Sequence, residues 1–101
     1  MTLPVAFLSG ADADLQTVFN QFEDYREGFG EEFMAAVEAH LTRLSTFPEL
    51  APIYLRSVRR QVMHRFPYGI FYAPQPTRII VIAILDLRQD GEQIRRRRLG
   101  Q

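Results

Sequence analysis

The sequence predicts an α+β fold. An N-terminal strand is followed by an αα-hairpin packed on a twisted, mostly antiparallel sheet, in the order β-α-α-β-β-β with a short basic C-terminal segment. Three observations predict it. Residues 79–85, Ile-Ile-Val-Ile-Ala-Ile-Leu, form an unbroken apolar run, mostly β-branched, too short to span a membrane and composed like a central strand covered on both faces. Residues 69–73 precede it across a Pro-Gln-Pro-Thr loop, and so short a connection permits only an antiparallel pair. Upstream, two stretches carry apolar residues at helical spacing, separated by Gly28-Phe29-Gly30.

Each element has its own signal. Val5-Ala6-Phe7-Leu8 reads as a short first strand that joins the sheet later, and Ser9 or Asp12 as the cap of the helix after it. Leu15, Val18, Phe19, Phe22 and Tyr25 make one helical face, so helix one is expected over 12–27. The two glycines supply the permissive backbone that ends it. Helix two is expected from Glu31 to Thr46, with Phe33, Val37, Leu41 and Leu44 as its apolar face. It stops at Phe47-Pro48, because a residue before proline is pushed out of the α region. Ile53, Tyr54 and Leu55 then pack on the sheet or lengthen the third strand, expected over 57–65. That strand carries Arg59, Arg60, His64 and Arg65 with only Val58 and Val62 as aliphatic partners. Residues 86–91 read as a turn, and 92–99 as one or two helical turns ending in a basic run, which reads as a mobile or partner-ordered tail. One sheet face is covered by the helices, and the other is expected to be left partly open as a groove.

At 101 residues, 1–101 is expected to be one domain with one core. Cysteine is absent, which excludes disulfides and thiolate metal sites. Met1-Thr2-Leu3-Pro4 lacks the basic start of an export signal, so a cytoplasmic location is expected, with no membrane. The zero net charge conceals an asymmetry. Residues 1–50 hold nine acids and two arginines, a balance of −7, while 51–101 hold ten arginines and three acids, a balance of +7. All twelve basic residues are arginine, whose planar fork suits bidentate contact with carboxylate or phosphate.

No phosphate loop, zinc-protease motif or nucleophile elbow is present, and no cofactor is expected. Two histidines, His40 and His64, are too few to indicate a metal site, and His40 reads as structural beside the core stripe. His64, Arg65 and Tyr68, with Arg60, are the residue types RNA cleavage needs: a base for the 2′-hydroxyl proton, cations for the phosphate and an acid for the leaving oxygen. Strand alternation opposes this grouping, since 60 and 64 share one face and 59 and 65 the other. A partner-binding surface asks only for charge and exposure. Its candidates are Arg59, Arg60, Arg65, Arg88, Arg95, Arg96, Arg97 and Arg98, suited to acidic peptides and phosphates alike. An open sheet face and a free edge strand would also accept a strand or helix from another chain.

The order of motifs resembles the ParE/RelE toxin superfamily over residues 5–99. Asp14-Leu15 opens helix one, and Gly30 and Phe33 open helix two. Leu44 with Phe47-Pro48 closes it, and Phe66-Pro67-Tyr68, Ile70-Phe71-Tyr72, the apolar run and Asp86-Leu87-Arg88-Gln89-Asp90 follow. The resemblance implies a bacterial type II toxin neutralised by a cognate antitoxin whose C-terminal part orders around it. One branch poisons DNA gyrase by binding; the other cuts mRNA on the ribosome. In the ribonuclease branch an arginine usually follows the tyrosine that matches Tyr68 and a strand is rich in lysine and arginine, whereas this chain has Gly69 there and no lysine. These departures favour the ParE branch and a non-enzymatic mode. An mRNA endoribonuclease and an inactive, antitoxin-binding relative are the alternatives.

Overall fold

A computed structural model describes residues 2–89 and 91–97, with the side chains of Gln93 and Arg95 excepted. The chain runs β1 (Val5–Phe7), α1 (Ser9–Tyr25), α2 (Phe29–Thr46), β2 (Ile53–Leu55), β3 (Val58–Val62), β4 (Tyr68–Pro74), β5 (Ile79–Asp86) and α3 (Gly91–Arg95). The sheet order is β1-β5-β4-β3-β2. β1 lies parallel to β5, with Val5 opposite Ile79, and the other three pairings are antiparallel. The α+β architecture expected from the sequence is therefore present, with one strand more. Ile53–Leu55 is a separate edge strand, returning into β3 through a tight turn in which Arg56 has φ +53°. Three residues are too few to give an alternation pattern distinct from the strand that follows.

Both sheet faces are covered. On the helix side, Val18 and Ala11 of α1 and Phe33, Val37 and Leu41 of α2 pack on Met63, Phe66, Tyr68, Ile70, Val81 and Ile84. Phe22, Phe33, Phe66 and Tyr68 meet there at ring-centroid distances of 5.2–5.9 Å, edge-on and tilted geometries that the ring quadrupoles favour. On the opposite side, Val58, Phe71, Ala83, Leu85 and Ile94 form a second cluster, with Tyr54, Ile82 and Leu87 against it. The expectation of a partly open groove on this face is thus corrected. The chain's own C-terminal turn and α3 fold over it, and Ile94 is only 4% exposed. The expected mobile tail is, as far as Arg97, a packed segment, because Ile94 gives it an apolar anchor; Arg98 lies outside the described residues.

Helix ends differ in detail from expectation. α1 starts at Ser9, earlier than residue 12, with Leu8 as N-cap and no side-chain cap, so neither Ser9 nor Asp12 caps it. The hairpin turn closes through Glu23, whose carboxylate accepts the Gly28 N–H (3.2 Å) and the Gly30 N–H (2.8 Å). Gly28 is the N-cap of α2 at φ +84°. Gly30 lies where the helices touch: a Cβ there would sit 2.7 Å from the Phe19 carbonyl oxygen and 2.8 Å from Glu23 Cγ.

Candidate partner-binding surface

β3 sets Arg59 and Arg60 on opposite sheet faces, as alternation requires. Arg59 pairs with Tyr72 on the helix side. Its Nη1 donates to the carbonyls of Glu49 (3.1 Å) and Ala51 (2.8 Å), which pins the loop between α2 and β2. Beside it Tyr72, fully buried, donates its hydroxyl to the Pro48 carbonyl at 2.8 Å, and burial pushes that phenol above its ordinary pKa. Arg60, opposite Phe71, lies over the Tyr54 ring at 5.0 Å, a cation–π contact.

β3 ends at Val62, short of the expected residue 65, and the Met63 N–H makes the last bond in the register of the β3–β4 pair, to the Tyr68 carbonyl at 2.9 Å. His64 and Arg65 consequently occupy the corner between β3 and β4. Arg65 forms an ion pair with Glu32 of α2 and lies over the Phe66 ring at 5.3 Å. Glu32 also receives Arg26 at 3.2 Å. The Arg65 hydrogen bond, followed by the charges of Arg65 and Arg26, holds the Glu32 carboxyl below its ordinary range against some desolvation.

The C-terminal arginines are partly engaged as well. Arg88 folds back on Asp86 through Nε (3.0 Å), Nη2 (2.7 Å) and its own backbone N–H (2.9 Å). These hydrogen bonds lower the Asp86 pKa and raise that of Arg88. Arg97 makes a two-pronged contact with Asp14 of α1, 3.0 Å on each side. Arg96 is exposed, 3.7 Å from Glu92. Glu32 with Arg65 and Asp14 with Arg97 join the acidic first half to the basic second half, so the two charge excesses partly neutralise each other within the fold.

The residue set for RNA cleavage does not converge. His64 is exposed and lies against His40 of α2, with ring centroids 5.9 Å apart. Burial, then the charges of His64 and Arg43, lower the His40 pKa. Arg65 is directed to Glu32. Tyr68 is 6% exposed and its ring stands on Phe33 at 5.4 Å. The tyrosine borders a groove of about 330 Å³ between α1 and β5, with Asp14, Thr17, Gln21, Asp86 and Gln89. Burial first, then Asp86, raises the Tyr68 pKa. Next to it, a Cβ on Gly69 would lie 2.9 Å from Leu87 Cδ2 and 3.4 Å from Arg60 Cγ. The space a side chain would use there is taken by Leu87. Among the described residues, no group of three or more metal-ligating side chains is gathered, and no helix is long and apolar enough to cross a membrane.

Sequence reasoning missed Asp14 and Glu32 as partners of arginines. A helix-one aspartate and a helix-two glutamate look like solvated or dipole-related acids until the fold brings arginines to them.

The architecture has a solved counterpart, described as a chromosomal ParDE toxin–antitoxin system from P. aeruginosa. The likeness covers 85% of this chain and 97% of that one, with a TM-score of 0.62 and 15% identity, and shows a shared fold. No sequence among the curated proteins compared matches the chain. The family model for the ParE toxin of type II toxin–antitoxin systems, parDE, matches residues 5–91. The chain belongs to this family: it is a ParE toxin of a type II toxin–antitoxin system.

Proposed function

We propose that this ParE toxin acts in the bacterial cytoplasm by binding DNA gyrase and inhibiting it, and that a cognate ParD-type antitoxin neutralises it by ordering around it. The observation that carries a binding mode over mRNA cleavage is the dispersal of His64, Arg65 and Tyr68 among three different sets of neighbours, with Leu87 filling the space beside Gly69. General acid–base cleavage needs its base, acid and phosphate-binding cation around one reacting phosphate.

Within the basic surface, roles divide. Arg60 and Arg96, with Arg95 and Arg98, are the side chains proposed to meet partners. Arg59, Arg65, Arg88 and Arg97 hold the surface in shape through their internal contacts, so their loss acts on partners through structure.

The test is macromolecular synthesis in bacteria directly after inducing the chain without antitoxin, following thymidine and methionine incorporation together. An early fall in DNA synthesis with filamentation is expected, and purified gyrase should then yield cleaved plasmid. An early fall in protein synthesis would replace this reading with mRNA cleavage. No change in either would leave an inactive, antitoxin-binding relative.

A further inference from the structure

We propose that His40 and His64 form a two-nitrogen binding site for a late first-row divalent cation such as copper, nickel or zinc. They are the two histidines of the chain, far apart in sequence, and neither belongs to the surface described above. His40 stands half-buried on α2, while His64 is exposed in the corner between β3 and β4. The fold brings the rings to 5.9 Å between centroids, with a 38° tilt.

That spacing suits an ion between them. An imidazole nitrogen binds these metals at about 2.0–2.1 Å, which places the ring centroid about 3.2 Å from the ion. Two rings bound to one ion are then about 5.2 Å apart at a tetrahedral angle and about 6.4 Å apart when opposed. The observed 5.9 Å falls between these limits. The exposed His64 can change rotamer to turn a ring nitrogen toward an ion held between the two rings.

The surroundings set the selectivity. The charge of Arg43 acts on His40 and opposes any cation, and no third ligand is gathered among the described residues. Oxygen-seeking magnesium, calcium and manganese have nothing to gain here. Ions with a strong preference for imidazole can hold two nitrogens and complete their shell with water. A bound ion would staple α2 to the β3–β4 corner and stabilise the folded chain by mass action.

The experiment uses the untagged full chain and the metal ions alone. Melting temperature is followed against copper(II), nickel(II), zinc and manganese(II), with isothermal titration calorimetry alongside and chelator reversal as control. Expected is a rise with concentration in the order copper above nickel and zinc, and none with manganese. The copper complex should show two nitrogen ligands by electron paramagnetic resonance. His64→Asn, at an exposed corner, should keep the metal-free melting temperature, weaken binding by roughly tenfold or more and reduce the nitrogen count. His40→Gln should weaken binding likewise. If no ion stabilises the chain, or if His64→Asn binds as the parent does, the rings are a packing contact only and the proposal is overturned. Neither result bears on gyrase or antitoxin binding.

Discussion

Asp14 and Arg97 are joined by paired hydrogen bonds of 3.0 Å, Nη1 to Oδ1 and Nη2 to Oδ2, and Asp14 Oδ2 also accepts the Ile84 N–H at 3.0 Å. Three layers meet at this carboxylate: α1, the edge of β5, and the segment after α3. β1 pairs with residues 79–81 of β5 and stops, so the Ile84 N–H has no strand to receive it. The aspartate takes the place of the missing strand, and Arg97 holds the aspartate. Asp14→Ala should therefore destabilise the chain by about 2 kcal/mol, since it strips a backbone donor of its acceptor and a guanidinium of its partner. Arg97→Ala, at a more exposed site, should cost about 1 kcal/mol. Urea unfolding of the two variants and of the double variant checks this. Additive losses would mean that the two side chains do not act as one unit.

This clamp changes how the basic C-terminus has to be tested. Removing residues 95–101 deletes Arg97 together with its neighbours, so lost toxicity would mix a structural effect with lost partner contacts. Replacing Arg95, Arg96 and Arg98 by alanine leaves the clamp in place. If these arginines meet the target, that variant should lose most of its toxicity while keeping its melting temperature and antitoxin affinity. A fully toxic triple variant would remove the C-terminus from the binding surface.

The helical hairpin depends on contact without side chains. Gly30→Ala would press a methyl group onto the Phe19 carbonyl at 2.7 Å, and backbone cannot move aside as a flexible side chain can. A loss of about 2–3 kcal/mol is expected. Glu23→Gln keeps the shape but sets an amide donor against one of two backbone donors, costing about 1–2 kcal/mol. Equilibrium unfolding measures both, and a Gly30→Ala chain as stable as its parent would show that the helices can separate at no cost.

Much of this architecture was legible in the sequence because it rests on periodicity. Phe33, Val37, Leu41 and Leu44 fall on one face of α2 and are all buried, and residues 79–85 form an inner strand as their composition indicates. What the sequence did not show is where long side chains end. Arg59, Arg65 and Arg97 look alike as members of basic clusters, yet one pins a loop, one meets Glu32 and one meets Asp14. A guanidinium reaches several ångströms from its Cα, so its partner is chosen by tertiary neighbours rather than by local pattern. Tyr68 illustrates the same limit: a polar-tipped ring beside His64 in sequence is placed by strand direction in the core instead.

Arg56 offers a test of local strain. At φ +53° it occupies the left-handed region, in the tight turn between β2 and β3, and this region costs an L-residue about 1–2 kcal/mol. Arg56→Gly relieves that cost and restores some unfolded-state freedom, for a net gain of about 0.5–1 kcal/mol. A higher midpoint in urea is expected. A lower one would show that the interactions of the Arg56 side chain outweigh the strain.

The Glu32 cluster makes stability depend on acid. Its folded-state pKa lies below the ordinary value of 4.5, chiefly through the Arg65 hydrogen bond. A carboxyl whose pKa is depressed by folding binds protons more weakly in the native state. Its contribution is then complete above the unfolded value and is lost as pH falls through the folded one. Glu32→Gln removes the titration while keeping the shape. The stability gap between parent and variant should therefore be constant at neutral pH, begin to shrink below about pH 4.5 and close at lower pH. Because Arg26 and Arg65 are themselves exposed, added salt should narrow the gap at pH 7 as well. Urea midpoints for both chains between pH 3 and 7 provide the comparison, and parallel curves across that range would assign the effect to shape instead of charge.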